Sequence, residues 1–112
     1  MTAWRISFAV LFGLIAKIDA HPGQGDALAE VLLDGAREME DGVPGCRLYV
    51  VARSPESPDA IWVTEVWDSR EAHAASLRLE SVRAVIERGR PLIAGFSERI
   101  ETIPLGGAGL AG

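Results

Sequence analysis

The sequence predicts a single α+β domain whose elements run strand, helix, strand, strand, helix, strand. Three observations lead there. Apolar and other residues alternate with period two over residues 46–53 and 60–67, and in part over 11–20. Between 11–20 and 46–53, Leu28, Val31, Leu32, Ala36 and Met39 trace one face of a helix. Turn signals at His21-Pro22-Gly23, Val43-Pro44-Gly45 and Ser54 to Asp59 punctuate the chain between them. With 112 residues there is room for one such domain.

Strand one is expected from Leu11 to Ala20, where Phe12, Leu14, Ala16 and Ile18 alternate with Gly13, Lys17 and Asp19. Arg5 followed by the apolar run Ile6 to Ala16 imitates a secretory leader. That run is too short to span a bilayer, and Lys17 and Asp19 stand where small neutral residues would mark a cleavage site. The strand reading is preferred, and with it a cytoplasmic protein. Residues 1–10 are an N-terminal extension or the start of strand one.

Asp26 is placed as N-cap of a helix running to about Asp41, closed by Gly42. In Cys46 to Arg53, Cys46, Leu48, Val50 and Ala52 share one face, and Arg47, Tyr49, Val51 and Arg53 the other. Strand three, Ala60 to Trp67, carries Ile61, Val63, Glu65 and Trp67 on one face and Trp62, Thr64 and Val66 on the other. Large apolar groups on both faces require cover on both sides. Asp68 with Glu71 resembles a capping box opening a second helical region, with a fresh turn near Glu80-Ser81 and an end at Gly89 and Pro91. Ile93 to Ile103 forms the last strand, with Phe96, Ile100 and Thr102 on one side. The domain is expected over 11–104, followed by a glycine-rich tail over 105–112.

Four strands and two helical regions in this order make the ferredoxin-like split βαβ arrangement, βαββαβ, with an antiparallel sheet. Both helical regions then cover one sheet face. Trp62, Val66 and their neighbours leave the other face too apolar for a monomer, so a homodimer packed sheet on sheet is expected.

Sixteen acids against eleven bases give a net charge of −5, the wrong sign for nucleic acid or an anionic membrane. Cys46 is alone, which excludes an internal disulfide and multi-cysteine metal sites. It is expected to be buried and inert. The sequence holds no nucleophile elbow, zinc-protease helix or phosphate loop. Only His21 and His73 are side chains of the type that could shuttle protons near neutrality, and His21 lies in a surface turn. Glu65 stands out as a carboxylate on an apolar strand face. It either bridges to Arg47, Arg53 or Arg99, or sits at a pocket beside the Trp67 ring with its pKa raised.

The stretch Trp62 to Leu77, with Glu65, Trp67, Ser69, Ala72 and His73 in it, resembles the Glu-x-Trp…His element of the antibiotic-biosynthesis monooxygenase-like family. Pro22-Gly23, Pro44-Gly45-Cys46, Pro91-Leu92-Ile93 and the closing Pro104 to Leu110 are similar to its other landmarks, in a subgroup of quinol monooxygenases. The resemblance covers about Leu11 to Leu110 and implies a dimeric α+β barrel. It also implies oxidation of a quinol or polycyclic phenol by dioxygen without a cofactor, with His73, Glu65 and Trp67 as the catalytic residues. Tyr49 and Trp62 are held back, because the simplest register sets them opposite Trp67. Many relatives carry the histidine nine residues after the tryptophan, where Ser76 stands here; His73, three residues earlier, lies on nearly the same helix face. Positions that hold haem-handling residues in haem-degrading relatives fall near Ala16 and Ile86, which ranks haem binding or degradation low. The other alternative is a non-catalytic dimer that holds a small aromatic ligand.

Overall fold

The computed structural model describes residues 10–110. All but the last residue of the N-terminal extension, and the last two residues of the tail, lie outside the described residues. The order is β1 (Phe12–Ala20), α1 (Gly25–Glu40), β2 (Cys46–Arg53), β3 (Ala60–Trp67), α2 (Arg70–Ser76), α3 (Glu80–Gly89), a 3₁₀ turn at Arg90–Leu92, and β4 (Ile93–Thr102). The strands form one antiparallel sheet in the order β2-β3-β1-β4, which is the ferredoxin-like split βαβ arrangement. Among the described residues no helix is long and apolar enough to cross a membrane.

The helices pack on one sheet face. Alternation along β1 and β3 sends Ala16, Ile18, Ile61 and Val63 to meet Leu28 of α1, while Phe12, Leu14 and Trp67 meet Val82 of α3. Trp67 has no exposed surface, and its burial fixes the end of the sheet next to α2. The second helical region is two helices because the chain turns at Leu77–Leu79, where backbone bonds reach back only three residues, to Ala74, Ala75 and Ser76.

Both expected helix caps are corrected. Asp26 lies inside the first turn of α1, paired with Arg53 at 2.6 Å, and Gln24 occupies the cap position without a side-chain bond. Asp59, from the β2–β3 loop, does the capping: its carboxylate accepts from Gly25 N at 2.9 Å and Gly23 N at 3.1 Å. This needs close approach, since a Cβ on Gly25 would collide with the Pro58 carbonyl. At α2 the cap is Ser69, whose Oγ accepts from Ala72 N at 3.0 Å, while Asp68 pairs with Arg47.

Three register shifts, two along β4 and one in β2, change which residues share a face. In β4 the pairing passes from Lys17↔Glu98 to Ile18↔Phe96, so Phe96 joins the helix-covered face while Ile100 and Thr102 stay on the open one. In β2 the shift at Arg47 places Tyr49 directly opposite Glu65. The strand-four expectation of one shared face for Phe96, Ile100 and Thr102 therefore fails, because the bulge consumes one residue of alternation.

The open face carries Leu48, Val50, Trp62, Thr64, Ile15 and Ile100. Val66 is already buried there, next to Gly13, over which Thr102 and Pro104 close tightly enough to leave no room for a side chain. Lys17 Nζ lies 5.9 Å from the centre of the Trp62 ring.

Candidate active site

Between the sheet and α1 and α3 lies a cavity of about 620 Å³. Its walls are mainly apolar, from Leu28, Val31 and Leu32 of α1 and Val82, Val85 and Ile86 of α3. Glu65, Trp67 and His73, the three residues singled out in the sequence, all line it. Trp62 stays on the open face, and His21 is exposed in its turn; neither lines the cavity.

Glu65 rises from β3 beneath the cavity, and its carboxylate oxygen Oε1 accepts the indole N–H of Trp67 at 2.9 Å. The same oxygen stands 3.9 Å from His73 Nε2, too far for a hydrogen bond. Of the two readings of Glu65, the bridge to Arg47, Arg53 or Arg99 does not form. Arg47 pairs with Asp68, Arg53 with Asp26, and Arg99 with Glu101 at 2.8 Å. Burial therefore dominates, and it raises the Glu65 pKa above the ordinary carboxylate value; the Trp67 bond and the Arg99 charge only partly oppose this.

His73 is held by aromatic packing. Its ring centre lies 5.3 Å from that of Phe12 and 5.4 Å from that of Trp67, the latter edge-on. Ser76, buried one turn on, donates its hydroxyl to the His73 carbonyl at 2.6 Å. Burial, then the positive charges of Arg99 and Arg70, lower the His73 pKa, with Glu101 opposing. Those arginines are anchored by one carboxylate: Glu101 accepts from Arg70 at 2.6 Å and from Arg99 at 2.8 Å. Arg70 also lies over the Phe12 ring at 4.6 Å, so α2 is tied to both β1 and β4. An uncharged imidazole thus faces a carboxyl group whose ionisation is disfavoured, a pair able to pass a proton to or from a ligand between them.

Tyr49 is a cavity residue that sequence reading set aside. Plain alternation from Cys46 puts it opposite Trp67, and the bulge at Arg47 reverses this. No residue type in β2 announces the bulge. Cys46 is half-buried; burial and the Glu65 charge push its thiol up to about 11, in keeping with an inert thiol. Among the described residues no three His, Cys, Asp or Glu side chains come together as a metal-ligand set.

The antibiotic biosynthesis monooxygenase family model matches residues 11–88. The chain belongs to this family. A crystal structure from Chloroflexus aurantiacus J-10-fl, described as a candidate antibiotic biosynthesis monooxygenase, is 54% identical with a TM-score of 0.83, over 90% of this chain and 99% of that one. A second of the same description, from Caulobacter crescentus CB15, is 22% identical with a TM-score of 0.73, over 88% and 92% of the two chains. A Pseudomonas aeruginosa protein is 19% identical with a TM-score of 0.74, over 92% of this chain and 100% of that one; at such identity the likeness is one of fold. Comparison with curated proteins returns no match. Family membership makes this chain monooxygenase-like, and the residues matched include Glu65, Trp67 and His73.

Proposed function

We propose that the chain is a cofactor-independent monooxygenase that oxidises a quinol or a polycyclic phenol with dioxygen. The observation that carries the reading is the opposed pair Glu65 and His73 at the Trp67 end of an otherwise apolar cavity. Such a cavity admits a flat aromatic ligand and excludes water, while the pair meets its hydroxyl.

The chemistry needs little from the protein beyond proton handling. His73, uncharged, takes the phenolic proton. The phenolate passes one electron to dioxygen, leaving a phenoxyl radical and superoxide. These combine at a ring carbon that carries hydrogen, para to the oxygen in a phenol and ortho to it in a quinol, forming a C–O bond, and the imidazolium returns its proton to give a hydroperoxide. Loss of the C–H proton with cleavage of the O–O bond yields a quinone carbonyl and water. Four electrons have then moved from substrate to dioxygen, with one oxygen atom in the product and one in water. Glu65, fixed by Trp67, faces the imidazole across the gap and holds the ligand hydroxyl in reach of His73.

The working unit is proposed to be a homodimer joined through the open sheet face, where Val50 and Ile100 are 47% and 46% exposed. Dioxygen uptake by the metal-free protein with reduced naphthoquinols and hydroxylated anthracenes tests the activity, against heat-denatured controls. Saturable uptake without added cofactor is expected. No uptake above control, with the ligands still bound, overturns the oxygenase reading in favour of a binding module.

A further inference from the structure

Tyr49 is the cavity group to which the proposed proton chemistry gives no task. Its place in the register is directly opposite Glu65, so the two side chains leave the sheet side by side on the same face. They then diverge. Glu65 is drawn along β3 toward Trp67 and His73 of α2. The Tyr49 ring instead rises to α1, where its Oη stands 3.8 Å from the point a Cβ would occupy on Gly35. Among the described residues no side chain or carbonyl hydrogen-bonds to that hydroxyl, although it sits in the cavity wall.

Gly35 is part of the same feature. Glycine inside a helix costs about 1 kcal/mol relative to alanine, yet α1 carries one at this buried position. A methyl group there would press on Val85 Cγ1 at 3.3 Å and occupy the space above the tyrosine hydroxyl. Glycine keeps that space open.

We propose that Tyr49 is a specificity-determining residue whose hydroxyl holds a second ring oxygen of the ligand at the α1 end of the cavity, while Glu65 and His73 meet the first. The proposal rests on the aromatic-ligand reading of the cavity. Burial and the charge of Glu65 both raise the phenol's pKa, so the group stays a neutral hydroxyl at working pH. A neutral hydroxyl both donates and accepts. It therefore accepts from a ring hydroxyl in a quinol and, after rotation, donates to the carbonyl in a quinone, which a carboxylate cannot do. A ligand with one oxygen leaves Tyr49 without a partner in an apolar wall, which is unfavourable. The site accordingly selects rings oxygenated on opposite edges over simple phenols.

Anaerobic titration, followed by quenching of tryptophan fluorescence, tests this with 1,4-dihydroxynaphthalene and 1-naphthol. Tyr49→Phe is expected to weaken the dihydroxy ligand about tenfold and to leave 1-naphthol as tight or tighter, since no hydroxyl is then left unpartnered. Equal losses for both ligands, or no loss for either, overturn the proposal. Should Tyr49→Phe fail to fold, Gly35→Ala carries the test: the same selective loss supports the proposal, and equal effects on both ligands overturn it. Because the titration excludes dioxygen, it reads binding alone; selective binding here with no dioxygen uptake in air would defeat the oxygenase reading alone. Failure of the unaltered protein to bind either ligand would defeat both.

Discussion

One oxygen of Glu65 serves two neighbours: Oε1 accepts the Trp67 indole N–H at 2.9 Å and stands 3.9 Å from His73 Nε2. Trp67 therefore sets the height and direction of the carboxyl group, and His73 faces it across a gap that a ligand hydroxyl can bridge.

Trp67→Phe keeps an aromatic ring but removes the N–H that holds Glu65 and part of a completely buried side chain. The expected cost is about 1–3 kcal/mol of stability, with turnover falling about tenfold or more as Glu65 loses its orientation. Thermal unfolding and steady-state kinetics on the same preparation check this. An unchanged rate in a folded variant would remove Trp67 from the mechanism.

The rate should depend on pH through His73. Burial and the flanking arginines set its pKa below the ordinary 6.5, so the free base persists into mildly acidic solution. The acid limb of kcat/KM is expected below pH 6.5, and His73→Ala should abolish that limb and lower turnover about a hundredfold. Glu101→Gln releases Arg70 and Arg99 together and should shift the limb, whereas a purely structural role would lower the rate at every pH alike.

Glu65 should make the protein less stable as pH rises. Its pKa is higher folded than unfolded, so whatever stability it lends is present below the ordinary value of 4.5 and is lost as pH climbs through the raised value. Glu65→Gln keeps an acceptor for Trp67 but cannot ionise. Its melting temperature relative to the unaltered protein should therefore be higher at pH 8 than at pH 4. An equal difference at both pH values would mean that Glu65 ionises as freely in the folded protein as in the unfolded chain.

On the open sheet face, Val50→Glu combined with Ile100→Glu places charges where the proposed partner copy packs. Sedimentation is expected to show a dimer for the unaltered chain and a monomer for the double variant, with the helix-covered cavity and its ligand binding retained. A monomeric unaltered chain would refute the proposed assembly.

The order of elements was legible in the sequence because each signal is local. Period-two stretches fixed β2 and β3, the stripe from Leu28 to Met39 fixed α1, and proline-containing turns separated them. Glu65 was legible as an anomaly, a carboxylate where alternation demands an apolar group, and His73 stood out as one of few groups that titrate near neutrality. Cap identity was not legible: Asp26 has the right chemistry beside α1, yet Asp59, distant in sequence, holds the N-terminus of that helix. Nor were the faces of Tyr49 and Phe96, because a bulge adds one residue to a strand and reverses every face beyond it without changing composition. The sequence alone determined the fold class and singled out Glu65 and His73, since alternation and residue chemistry are properties of neighbours along the chain. Only the tertiary structure decided which side chains share the cavity with them, since strand register is settled by packing between segments far apart in sequence.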